Sequence, residues 1–135
     1  MFKMTESRLD SEVLEEAKRL MKWITYKGKE ILIHDYTNLL PKQIGPLVEA
    51  VAHITFETGK KNLLVIVDIS NSYGNKEDVN AFKTAGKVYR LIVKKTAVLG
   101  ITGLKKILIN VVSKFSKIDA KQFNSIEEAK EWLVS

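Results

Sequence analysis

The chain has no cysteine. Disulfides, thiol catalysis and cysteine-ligated zinc are therefore excluded, and the absence fits a reducing compartment, so a cytoplasmic location is expected. Histidine is nearly as scarce. His34 and His53 fall on separate predicted elements, which leaves general acid–base chemistry without a dyad. There is no GxSxG elbow, no HExxH pair and no dinucleotide-type glycine pattern. No enzyme activity, metal site or cofactor is expected. The first twenty residues hold no uninterrupted apolar segment, which argues against a signal peptide or a membrane span. No repeat, low-complexity tract or linker stands out.

What is present is a basic chain of 135 residues with net charge +6, a length that suits one core. The charge is uneven. Residues 83–122 carry ten Lys or Arg against one acid, Asp119, whereas residues 21–82 sum to zero. Such an excess is either a face that attracts anions or a solvated surface that aids solubility. Only Arg90 among the ten is arginine, and the aromatics look committed to packing. Nucleic-acid readout relies on Arg forks and stacking rings, so specific nucleic-acid binding is disfavoured.

In chain order, residues 5–21 read as a helix with Leu9, Val13, Ala17 and Leu20 on one stripe and a Glu15–Arg19 pair at i,i+4. It either packs on the domain or offers its stripe to a second copy, as in a homodimer. Residues 23–26 and 30–36 flank Lys27-Gly28-Lys29, a hairpin signal. Residues 41–58 read as a helix that tolerates Pro46 only near its first turn. Residues 63–67 read as a buried strand, followed by Asp68 and the polar loop 69–76. Loops after parallel strands form ligand crevices, so Asp68, Ser70, Asn71, Ser72 and Tyr73 are candidate contacts. The plainer alternative is that these side chains satisfy turn backbone. Residues 77–93 read as a helix with Val79, Phe82, Ala85, Tyr89 and Ile92 inward. A short edge strand over 121–124 precedes a last helix, begun by a Ser125–Glu128 capping box and docked by Ile126, Ala129, Trp132 and Leu133.

The stretch 94–116 organises this order. Residues 96–101 form a compact apolar run, Gly100 and Gly103 bracket Thr102, and Leu104, Ile107, Leu108, Val111, Val112 and Phe115 recur at helical spacing. A helix start with Lys105 and Lys106 in its first turn can hold a phosphate or carboxylate, so Thr102, Gly103, Lys105 and Lys106 join the candidate ligand-binding residues, the plainer alternative being an ordinary strand-to-helix turn with solvated lysines.

The segments LLVIVDIS (63–70), KKTAVLGITGLKKILIN (94–110) and FNSIEEAKEWL (123–133) make the chain resemble the SpoIIAA-like branch of the STAS superfamily, the sulfate transporter and anti-sigma-factor antagonist proteins. The resemblance covers about residues 23–134. It implies an α/β fold: a mixed, mostly parallel sheet of four to five strands starting with a β-hairpin and flanked by helices. Residues 1–22 become a helical extension and 23–135 the STAS-like domain. It also implies a non-enzymatic regulatory module that acts through a protein partner or a small anionic ligand such as a nucleotide or lipid. The serine switch motif Asp-Ser-Ser-Gly is missing. Where it would fall, near Gly74 or Asn75, the chain reads SYGNKED, so no phosphorylation site is carried over. Association with an anionic membrane is the alternative function, since lysines near such a surface each contribute about 1 kcal/mol of attraction.

Overall fold

A computed structural model describes residues 11–40, 43–72, 76–101 and 119–135. The sheet has five strands in the order β1-β2-β3-β4-β5. β1 (Met21–Tyr26) and β2 (Lys29–Asp35) form the expected hairpin, and their register puts Tyr26 opposite Lys29. The two turn residues, Lys27 and Gly28, have φ of 49° and 80°. Two left-handed residues in sequence match the right-handed twist of the strands they join. β3 (Leu63–Asp68), β4 (Val93–Leu99) and β5 (Ala120–Phe123) add on parallel to β2.

Side chains alternate across this sheet. Leu32, Val65, Val67 and Val98 face α2 (Ile44–Glu57) and α3 (Lys76–Ile92), while Ile31, Leu64, Ile66, Ala97 and Leu99 face α4 (Ile126–Val134). Two sealed apolar layers result, which is why β3 reads as an unbroken hydrophobic run. α1 (Ser11–Arg19) closes on α2 through Ala17, which is fully buried, with Val13 and Leu14 beside it. Pro46 lies in the first turn of α2, where its missing N–H has no helical acceptor to lose. Asp78 of α3, itself buried, accepts a hydrogen bond from the Gly45 amide at 3.0 Å and so covers a free donor at the α2 start.

Several details differ from the sequence reading. β4 begins at Val93, directly after α3, and ends at Leu99, rather than covering 96–101. The apolar run begins only at Thr96, after Lys94 and Lys95. In the fold Lys94 is exposed, while Lys95 reaches the end of α4 and donates to the Trp132 and Ser135 carbonyls at 3.0 and 3.1 Å. Arg19 pairs with Glu16 and not Glu15, which instead meets Lys18 at 3.5 Å. Ile126 is 37% exposed, so α4 docks through Ala129 and Leu133 while Trp132 packs against Phe123. The Ser125 cap forms as expected, with the Glu128 amide donating to Ser125 Oγ at 3.2 Å. The helix expected after residue 103 lies outside the described residues.

Candidate functional site

The carboxyl ends of β2, β3 and β4 lie side by side, and two of them finish in the same four-residue turn. At the end of β2, Asp35 Oδ1 accepts from the Thr37 amide at 3.0 Å and the Thr37 hydroxyl at 2.6 Å. At the end of β3, Asp68 Oδ1 accepts from the Ser70 amide at 2.9 Å and the Ser70 hydroxyl at 2.7 Å. The fourth residue of each turn, Asn38 or Asn71, is left-handed, with φ of 62° or 56°. Asn tolerates this region better than most side chains do. Asp35 and Asp68 are partners in the parallel register, so the twin turns stand adjacent.

Backbone bonds tie the turns together beyond the last strand residues. The Tyr36 amide donates to the Asp68 carbonyl at 2.8 Å, the Asn38 amide to Ser70 at 3.1 Å, and the Ile69 amide to Leu99 at 3.0 Å. Gly100 completes the rim with φ of 84°. A side chain there would put its Cβ 2.5 Å from the Ser70 nitrogen and 2.6 Å from its Cα. The glycine is thus required twice, by conformation and by close approach.

Of the candidates named from sequence, Asp68, Ser70, Asn71 and Ser72 come together in one loop. Ser72 is buried, and its hydroxyl donates to the Ile69 carbonyl at 2.7 Å. The hydroxyls of Thr37, Ser70 and Ser72 are all engaged within their own turns. The groups left facing water are Asp35, Asn38 and Asn71, with Asp68 part-exposed. Among the described residues, two neighbouring carboxylates, Asp35 and Asp68, stand on this surface. Tyr73, Thr102, Gly103, Lys105 and Lys106 lie outside the described residues. Asp35, Thr37 and Asn38 belong to the rim but were not among the sequence candidates. The signal for them was the repeated wording DYTN at 35–38 and DISN at 68–71, each after an apolar strand.

Beneath the rim, on the α2–α3 face, His34 is buried against Tyr36 and Tyr89, with ring centroids 5.9 and 5.6 Å away. Burial lowers its pKa to about 3, so the ring is neutral. Burial likewise raises the Tyr36 and Tyr89 phenols above their ordinary range. Thr55 Oγ1, on the same face, donates to the Val51 carbonyl at 2.7 Å. His34 Nδ1 lies 3.4 Å from the Tyr89 hydroxyl oxygen. His34 Nε2 is buried and has no partner among the described residues. The second histidine, His53, is part-exposed and 3.9 Å from Glu57. Among the described residues no group of three His, Asp or Glu is placed to hold a metal ion, and no helix is long and apolar enough to cross a membrane.

No protein-family model and no curated protein matches the chain. Among solved structures it is similar to an uncharacterized protein of the DUF3478 family with a SpoIIAA-like fold from Shewanella loihica PV-4. The two share 17% identity at a TM-score of 0.60, over 84% of this chain and 91% of the other. The hairpin start, the parallel remainder and the flanking helices are thus those of a SpoIIAA-like fold.

Proposed function

We propose that the protein is a non-enzymatic, STAS-like regulatory module, cytoplasmic, whose carboxyl-end rim is read by a protein partner. The twin Asp-x-Thr/Ser-Asn turns carry this reading. They hold Asn38, Asn71 and Asp35 toward solvent on a backbone already fixed by hydrogen bonds, so little ordering cost remains for an incoming partner. Hydroxyls spent within the turns favour recognition over nucleophilic chemistry. The N-terminal helix, packed on α2, is read as an extension of the domain rather than a separate unit.

The adjacent Asp35 and Asp68 carboxylates, among the described residues, favour a protein that offers basic or neutral polar groups to the two turns. The test is affinity capture on the wild-type chain and on Asn71→Gly, which removes an exposed side chain and keeps the left-handed backbone. A partner held by the wild type and lost from the variant, at equal melting temperature, supports the reading. Equal retention by both removes the rim from it.

A further inference from the structure

We propose a second site at the opposite, amino end of the parallel strands: a lysine-lined cleft that binds a phosphate-bearing ligand. The cleft has a volume of about 600 Å³. Its four lysines come from three separate places in the chain: Lys29 at the hairpin, Lys60 and Lys61 after α2, and Lys94 at the start of β4. The one carboxylate among its described lining residues, Glu30, pairs with Lys60 at 3.1 Å. Lys60 also lies over the Trp23 ring, 4.4 Å from its centroid, and Lys29 is held by the Val134 carbonyl at 3.3 Å. Those two are positioned. Lys61 and Lys94 are exposed and have no partner among the described residues.

The walls matter as much as the charges. Leu64 and Leu133 line the cleft and are 8% and 1% exposed, so its floor is apolar and sealed. Like charges gathered over a low-dielectric floor focus their field and draw in an anion, and a compact ammonium suits a phosphate oxygen. Neighbouring cations held apart by their own contacts leave Lys61 and Lys94 to close on the ligand. The ligand chemistry is that of a phosphate group, borne either by a free phosphorylated molecule or by a lipid headgroup. This site is separate from the rim and stands whether or not the rim reading does.

The experiment uses the full chain and two probes, inorganic pyrophosphate in calorimetry and vesicles of phosphatidylglycerol in phosphatidylcholine in flotation. The test variant is Lys61→Gln/Lys94→Gln. The control, Lys87→Gln/Arg90→Gln, removes the same charge from α3. Binding of either probe should weaken about tenfold or more in the test variant, as expected for losing two charged contacts, and change little in the control. Binding confined to pyrophosphate assigns a free ligand, and binding confined to the anionic vesicles assigns a headgroup. No binding of either probe, or equal loss in the test and control variants, overturns the proposal. The Asn71→Gly variant should bind both probes as the wild type does, which keeps a failure of the rim reading distinguishable from a failure here.

Discussion

Replacing Gly100 by alanine would force a side chain into the Ser70 backbone and hold it at a φ of 84°. A left-handed alanine costs about 1 kcal/mol or more, and overpacking adds about 1–3 kcal/mol. Chemical denaturation of Gly100→Ala should therefore show a loss of about 2–4 kcal/mol, and a loss under 1 kcal/mol would mean the strand ends are not packed as described. His34 makes a second residue-level prediction. Its folded pKa is about 3 and its unfolded value about 6.5, so between these limits the unfolded chain binds the extra proton. The contribution is fully present above pH 6.5 and is lost as pH falls toward 3, at about 1.4 kcal/mol per pH unit. Unfolding of the wild type and His34→Leu across this range should show the flatter profile in the variant. Parallel profiles would place His34 in contact with water. Sequence placed His34 in a strand, but its burial depended on Tyr36 and Tyr89, which only the fold brings to it.

At the scale of elements, the join between α2 and α3 rests partly on one buried carboxylate. Asp78→Ala would leave the Gly45 amide at the α2 start without that acceptor, for a loss of about 1–3 kcal/mol by denaturation. Ser125→Ala removes a more exposed cap and should cost about 1 kcal/mol. The Ser125 cap was legible because both partners lie three residues apart in one helix. The Asp78 contact was not, because its partner is thirty-three residues away. The start of β4 was misplaced for a related reason. Two adjacent lysines interrupt the apolar run, and the carbonyls that hold one of them come from the end of α4. The β3 loop was singled out because it is polar and follows a buried strand, whereas the β2 turn beside it was not made a candidate although it carries the same wording.

Over the whole molecule, charge is sorted by fold rather than by sequence. Residues 21–82 sum to zero along the chain. In three dimensions Asp35 and Asp68 stand at the carboxyl end of the sheet, while Lys29, Lys60 and Lys61 gather at the amino end with Lys94. A neutral stretch thus supplies both these rim carboxylates and much of a basic cleft. Apolar periodicity was enough to read the order of elements and the two-sided burial of the sheet. It carried no information about which charges would meet. The rim's role in recognition is tested most directly by hydrogen exchange on the full chain, alone and with its captured partner. Slower exchange on binding is predicted for amides in 35–38 and 68–72, with the amino-end residues 60–62 unchanged. Unaltered exchange in both rim turns, with protection confined elsewhere, would contradict it.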